Sequence, residues 1–238
     1  MNISKSQIIS VILAILAVAY VLSVVFKLKE IPIFSRALIF PLFVVHYFLQ
    51  SKKTDYFFLG FLVLFSMSEI LIIFDAVDSF PSYYVGNGMC ILAYFSLALF
   101  FIKKISFLVL FNRFKTFVTV LLVLSSYIVY VLNSIVLDES GIHVWSIDFF
   151  LESFYNLSIT MVLSLSLLNY LCRDSKDDLL LFLATACIVF SEMVHLASFY
   201  ISEVYILGLT NAILLTAGFS LVHFYITSKV NTYYRVLF

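Results

Sequence analysis

Long apolar stretches separated by short polar ones recur along the whole sequence. Crossing the hydrocarbon core of a bilayer as a helix takes about 20 apolar residues, and eight stretches approach or reach that length. The apolar stretch from Ile105 to Asn112 is too short to span and is expected to lie at the membrane interface. We predict membrane-spanning helices near Ile8 to Phe26, Phe34 to Leu49, Tyr56 to Phe74, Tyr84 to Ile102, Thr116 to Leu137, Ile147 to Leu171, Leu179 to Tyr200 and Val204 to Thr227.

Composition supports a helical membrane protein. Apolar residues make up 63% of the 238 residues and charged residues only 12%, which is too few charges to cover a soluble surface. The 27 Phe and 15 Tyr outnumber the 6 Gly and 3 Pro, which favours uninterrupted helices over a turn-rich β-barrel. We therefore predict an all-α polytopic membrane helix bundle in which residues 1–238 form a single transmembrane domain. A net charge of zero and the absence of a basic stripe argue against a nucleic-acid partner.

Lysine and arginine are distributed unequally between the two sides of the predicted bundle. Eleven of the 14 lie on the side of the amino terminus and three on the other. Because basic loops stay in the cytoplasm, both termini are predicted to be cytoplasmic, in a bacterial inner membrane. The eleven are Lys5, Lys52, Lys53, Lys103, Lys104, Arg113, Lys115, Arg173, Lys176, Lys229 and Arg235. The opposite side has Lys27, Lys29 and Arg36, the acidic residues Glu30, Asp75, Asp78, Asp138, Glu139, Asp148, Glu152 and Glu203, and a belt of Tyr83, Tyr84, Trp145, Tyr200 and Tyr205.

The two halves of the chain resemble each other. Polar residues match at a shift of 122 or 123 positions through a span, a loop, a second span and the start of a third. We interpret spans 2–4 and 6–8 as a parallel duplication with its pseudo-two-fold axis along the membrane normal, with halves at about 31–105 and 146–228. The matched pairs are Tyr47 and Tyr170, Lys53 and Lys176, Asp55 and Asp178, Ser68-Glu69 and Ser191-Glu192, Tyr83 and Tyr205, and Gly86 and Gly208.

Glu69 and Glu192 are the acidic residues that lie well inside apolar spans, at equivalent places in the repeat. Each follows the predicted cytoplasmic start of its helix by 13 residues, or about 20 Å, which puts both in the outer half of the bilayer. A buried carboxylate is costly unless it is paired, hydrogen-bonded or protonated, so an acid at this depth indicates a functional site. The alternative is a structural acid that holds helices together through hydrogen bonds.

Several other polar residues could reach the same depth. His195 follows Glu192 by three positions and shares its helix face, and Asn87, Asn156 and Asn211 lie near the outer ends of their spans. Arg36 could keep one carboxylate ionised while the second acid holds a proton, which would produce an acid and a base. Arg36 could equally be an interfacial residue that reaches water; His195 could be an interior histidine, and Asn87 and Asn211 could serve helix packing.

Other chemistries find little support in the sequence. Glu192 and His195 form one ExxH motif, but Ile72 stands where a second histidine would complete a di-iron site, so no metal is expected. No phosphate-binding or dinucleotide-binding loop occurs, and no cofactor is expected. Ser68 and Ser191 have no evident base to activate them and are assigned to the substrate-binding surroundings of the acids.

The chain resembles the YhhN-type lysoplasmalogenase-like family of membrane proteins over most of its length. The resemblance rests on eight spans, on the acidic residues of Phe65-Ser66-Met67-Ser68-Glu69 and Ile188-Val189-Phe190-Ser191-Glu192, on Gly86, and on Arg36 followed by Pro41. It implies cleavage of the vinyl-ether bond of a lysophospholipid to an aldehyde and a glycerophospho-headgroup. Glu69 and Glu192 would then be the catalytic acid and base, with Arg36, His195, Asn211, Asn87, Ser68 and Ser191 around the substrate.

Three functions follow as alternatives. The family's Gly-Asp is Ser68-Glu69 here, its Lys-Pro is Arg36-Ala37, and its fourth-span histidine has no counterpart near Tyr94. A catalytically silent scaffold, a lipid-binding protein or an accessory subunit that contacts other membrane proteins is therefore as well supported as a lipid hydrolase. A transporter is the third alternative, although few Gly or Pro interrupt the spans.

Overall fold

A computed structural model of the protein describes residues 5–28, 31–51, 54–75, 80–140, 143–201 and 204–237. Within these residues it contains nine helices and no strand. The helices are α1 (Lys5–Val25), α2 (Ile31–Gln50), α3 (Tyr56–Asp75), α4 (Phe80–Lys104), α5 (Phe107–Arg113), α6 (Lys115–Ser140), α7 (Ile147–Arg173), α8 (Lys176–Tyr200) and α9 (Tyr205–Leu237).

The predicted all-helical membrane bundle is confirmed in its main features. Seven helices are long and apolar enough to cross a bilayer: α1, α2, α4, α6, α7, α8 and α9. The remaining long helix, α3, has 20 residues and is apolar over Tyr56–Leu71. The short apolar stretch predicted at the interface forms α5, a helix of 7 residues. Of the charged residues assigned to the two sides, Lys29, Glu30, Lys52, Lys53, Asp78 and Glu203 lie outside the described residues.

Six helices form a closed ring. Among the described residues α2 packs on α3, α3 on α4, α4 on α7, α7 on α8, α8 on α9, and α9 returns to α2. Helix α1 packs outside the ring against α2 and α9, whereas α6 packs against α7 and α8. The ring thus consists of two triplets of helices, α2–α4 and α7–α9. The contact of α4 with α7 and the contact of α9 with α2 join them.

Side-chain contacts define the two ends of the bundle. Tyr83 at the start of α4 hydrogen-bonds Glu152 near the start of α7 (2.5 Å), and the Tyr205 hydroxyl at the start of α9 donates to the backbone oxygen of Val25 (3.2 Å). We call this the tyrosine end. At the other end, Asp178 accepts hydrogen bonds from several polar side chains and so connects α4, α7 and α8. These bonds come from Asn169 (3.0 Å), Arg173 (3.0 Å) and Ser175 (2.5 Å), and the Lys104 ammonium lies at 3.8 Å.

The turn between α7 and α8 shows how local sequence sets this arrangement. Asp174 adopts a left-handed conformation (φ 46°) that ends α7, and the Ser175 side chain then accepts the backbone N–H of Asp178 at 3.1 Å. A serine at the helix start in this way satisfies one of the backbone donors that the first turn of a helix leaves free. Ser175 therefore caps the first turn of α8.

Gly218 allows the close approach of α8 and α9. A Cβ at this position would lie 2.7 Å from Ile188 Cγ1 and 3.1 Å from the backbone oxygen of Ala184, whereas a Cβ at Gly208 meets nothing within 4 Å. We expect Gly218→Ala to lower the free energy of unfolding by about 1–3 kcal/mol through overpacking. Gly208→Ala, the matched control in the same helix, should leave it unchanged or raise it slightly. Unfolding in mixed detergent micelles measures both; equal effects would contradict this packing.

Candidate active site

Glu69 of α3 forms an ion pair with Arg36 of α2. The Nη2 atom of Arg36 donates to Oε1 of Glu69 at 2.5 Å, and the two side chains are 15% and 3% exposed. A guanidinium in contact compensates the charge of a carboxylate that has left water. Of the two interpretations of Arg36 open in the sequence, the structure places it against the acid.

Glu192 of α8 is buried at the same end of the ring and has a different partner. The hydroxyl of Tyr155, on α7, donates to its Oε2 atom at 2.6 Å. The Glu192 side chain, 5% exposed, accepts a neutral donor, whereas Glu69 receives a charged one. The two acids therefore occupy electrostatically unequal surroundings.

The two serines beside the acids bond to the next helix along the chain. Ser68 accepts a hydrogen bond from the Cys90 thiol of α4 at 3.2 Å and donates to the backbone oxygen of Phe65. Ser191 donates to Oδ1 of Asn211 on α9 at 2.6 Å. Both serines are buried and engaged, which gives them the role of fixing helix positions around the acids.

A cavity of about 210 Å³ connects the two acids. It lies at the tyrosine end and is partly open to the surface, beside the 68%-exposed ring of Phe199. Both carboxylates line it, together with the Cys90 thiol and eight other polar side chains of five helices. These eight are Arg36, Ser68, Tyr83, Asn87, Glu152, Tyr155, His195 and Tyr200. Both acids and the side chain of Arg36 thus line the same cavity.

Most of the residues predicted around the acids line this cavity, and a few do not. Ser191 and Asn211 lie behind its wall, where the Asn211 amide is 3.4 Å from Nδ1 of His195. Asn156 points elsewhere and donates to Asn133 of α6 at 2.9 Å. His46 and His223 lie outside this cavity and stack on each other with their ring centres 4.6 Å apart.

Sequence reasoning missed Tyr155, Cys90 and the cavity role of Glu152. Glu152 was assigned only to the acidic outer side, and Tyr83 and Tyr200 only to an aromatic belt. Glu152 and Tyr155 are three residues apart and so share a helix face, which is a signal that the sequence contains. Which face turns toward Glu192 depends on helix packing and is not visible in the sequence.

No family model, no curated protein and no solved structure matches this chain. Within the described part of the chain, no three His, Cys, Asp or Glu side chains lie together as ligands of a metal ion would. The groups available in the cavity are carboxyl, guanidinium, imidazole, phenol, hydroxyl, amide and thiol groups.

The hydrogen bond from Tyr155 to Glu192 gives a test of this geometry. Tyr155→Phe keeps the ring but removes the donor, and we expect it to lower the free energy of unfolding by about 1–3 kcal/mol because a buried carboxylate loses its partner. Tyr127→Phe is the matched control on α6, where the side chain is 64% exposed. The free energy of unfolding of both variants is measured in mixed micelles. Equally small changes in the two variants would show that the hydrogen bond from Tyr155 to Glu192 does not stabilise the protein.

Proposed function

We propose that the protein is a YhhN-like intramembrane lipid hydrolase that cleaves the vinyl-ether bond of a lysophospholipid. The observation that carries the proposal is a partly open cavity that Glu69, Glu192 and Arg36 line together. Hydrolysis of an enol ether needs a proton donor for the double bond and a base for water, and two carboxyl groups in unequal surroundings supply both. Of the two, Glu69 has a cationic partner and takes the role of base, which leaves Glu192 as the acid.

In this mechanism Glu192 gives its proton to the carbon of the double bond that does not carry the ether oxygen. Water adds to the other carbon as Glu69 accepts one of its protons, and a hemiacetal forms. The hemiacetal then breaks its bond to the ether oxygen: its hydroxyl returns a proton to Glu192, and the leaving oxygen takes the proton held by Glu69. The products are an aldehyde and a glycerophospho-headgroup, and both acids return to their starting states.

We propose eight membrane spans, with α3 as the eighth beside the seven long apolar helices. Tyr56–Asp75 contains 20 residues, about 30 Å of helix, which matches the hydrocarbon core. The ring α2–α3–α4–α7–α8–α9 places α3 between two long apolar helices. That position supports a spanning helix.

The internal repeat is also a proposal, and contacts at the site support it. Each acid is met by a side chain of the preceding helix, and each neighbouring serine by a side chain of the following helix. The contacts are Glu69 with Arg36, Glu192 with Tyr155, Ser68 with Cys90, and Ser191 with Asn211. α1 and α6 do not follow this symmetry, since α1 packs against both triplets and α6 against one.

We place both termini in the cytoplasm from the distribution of Lys and Arg, and we propose a bacterial inner membrane as the location. The basic residues near the ends of α4 and α7 and the starts of α6 and α8 belong to the end opposite the cavity. The positive-inside rule makes that end cytoplasmic. The cavity would then open toward the outer side of the membrane.

A catalytically silent scaffold is the second candidate, and the burial of the acids favours it. Glu69 and Glu192 are only 3% and 5% exposed, and each makes a short contact to a neighbouring helix. Helix α6 also presents a broad apolar face, with Leu122 and Val123 more than 60% exposed. Acids that only hold helices together, beside a face that contacts another membrane protein, would give a lipid-binding or accessory subunit.

One assay separates the two candidates. Purified protein in micelles is incubated with a 1-alkenyl lysophospholipid and with the matched saturated 1-alkyl compound, and aldehyde is measured. The hydrolase releases aldehyde from the alkenyl compound alone, because a saturated ether has no double bond to protonate. Release no greater than in protein-free micelles would remove the hydrolase proposal for this substrate and favour the scaffold.

A further inference from the structure

A second cavity of about 320 Å³ lies between α1, α2 and α9. Its walls are largely apolar and include Leu13, Phe40 and Phe219. Two of its hydroxyl groups donate to their own helices, Ser10 to the backbone oxygen of Ser6 and Ser220 to that of Thr216. The hydroxyl of Thr216 and the Nδ1 atom of His223, which also line the cavity, have no hydrogen-bond partner within the part of the chain that the structure describes, and nine of the fifteen lining residues are apolar.

The shape of this cavity suits a hydrocarbon chain. On α1 its lining extends from Ser10 to Tyr20, a distance of about 15 Å along the helix axis. Ligand pockets commonly have volumes of about 300–1,000 Å³ and are mostly apolar. The helices around it are long and apolar enough to cross a membrane, so the molecules at hand to fill it are lipids.

Arg36 lines both cavities. Its Nη2 atom is bonded to Glu69, while its Nε atom is buried without a hydrogen-bond partner. Buried donors without acceptors are rare because each costs free energy. An oxygen of a bound ligand at the junction of the two cavities would satisfy this donor.

We propose that the cavity between α1, α2 and α9 binds the single hydrocarbon chain of a lysophospholipid, with the oxygen-bearing end of the chain at Arg36. The chain runs from Arg36 and Tyr20 toward Ser10 and His223, away from the acids. The placement deepens the proposed function and rests on it for the identity of the lipid. Occupation of the cavity by a chain needs no hydrolysis and is measured separately.

The experiment uses a lysophosphatidylcholine whose chain ends in a diazirine, incorporated into lipid nanodiscs with the full-length protein. After illumination, mass spectrometry locates the label. We expect labelling around Ser10 of α1 and around Ser220 to Phe224 of α9 to exceed labelling of the lipid-exposed face of α6 at Leu122 and Val123. Equal labelling of the two regions would overturn the proposal, since it would report only general contact with lipid.

A variant within the cavity sharpens the test. Ala17 lines the cavity, whereas Val18 beside it is 58% exposed and does not. We expect Ala17→Phe to lower cavity labelling about fivefold or more by filling the space, and Val18→Phe to leave it unchanged. Equal loss in both variants would contradict the site. If Ala17→Phe fails to fold, the smaller substitution Ala17→Val replaces it. The proposal is then tested by the labelling of that variant and by the ratio of cavity labelling to α6 labelling in the wild type.

The outcome is separable from that of the proposed function. The Glu69→Gln/Glu192→Gln protein should retain cavity labelling although it releases no aldehyde. Labelling without aldehyde release from the wild type would preserve the chain site and remove the hydrolase. Aldehyde release with labelling spread evenly over the lipid-facing surface would preserve the hydrolase and remove the chain site.

Discussion

Glu69→Gln and Glu192→Gln should each lower the rate of aldehyde release roughly 100- to 10,000-fold, the range in which general acid or base groups contribute. Glutamine keeps the size of the side chain but can neither give up nor accept the proton. Both acids line one cavity, and the third carboxyl group there, Glu152, is bonded to the Tyr83 hydroxyl. The measurement is initial rate against 1-alkenyl lysophospholipid concentration, with kcat and KM reported separately.

Asp138→Asn is the control for these two variants. Asp138 is an exposed carboxylate near the end of α6 and does not line the cavity. Its substitution should leave the rate within about twofold of wild type, because surface changes away from a site have small effects. A loss in Asp138→Asn as large as in Glu69→Gln would show that the assay reports folding rather than catalysis.

Arg36→Met should lower the free energy of unfolding by about 3–5 kcal/mol, because it leaves the Glu69 carboxylate buried without its partner. The pair has a contact of 2.5 Å and side-chain exposures of only 15% and 3%. Removing both charges in Arg36→Met/Glu69→Leu should restore most of that stability, since an apolar pair of similar volume often replaces a buried ion pair without loss. Unfolding titrations in mixed micelles measure all three proteins.

The exposed ion pair at the other end of the bundle is the matched control. Lys103 and Asp55 lie 3.7 Å apart, with the Lys103 side chain 62% exposed. Lys103→Met should change the free energy of unfolding by no more than about 1 kcal/mol, as is usual for surface pairs. If Arg36→Met costs no more than Lys103→Met, Arg36 does not hold Glu69 in the way described.

Hydropathy was sufficient to place the helices because a bilayer requires long apolar runs. The predicted Ile147 to Leu171 and Leu179 to Tyr200 spans differ from α7 and α8 by at most three residues at each end. Glu69 and Glu192 were identified as a matched pair because charged residues are costly at such depths.

The partners of the acids were harder to predict than the acids. Arg36 was one of several polar candidates, and Tyr155 was not among them, because a tyrosine in an apolar helix carries little sequence signal of its own. Which residue meets which depends on the rotation of each helix about its axis. Tyr155 contacts Glu192 while Asn156, the next residue, contacts Asn133 of α6. Adjacent positions on one helix thus face different neighbours, and only packing decides between them.

The most direct test compares aldehyde release by the wild-type protein and by Glu69→Gln/Glu192→Gln, side by side, from the same 1-alkenyl lysophospholipid micelles. Both proteins are first checked for equal cavity labelling with the diazirine lipid, so that binding is held constant. The hydrolase proposal predicts aldehyde from the wild type and none above the protein-free rate from the double variant. Wild-type release no greater than that of the double variant would contradict it.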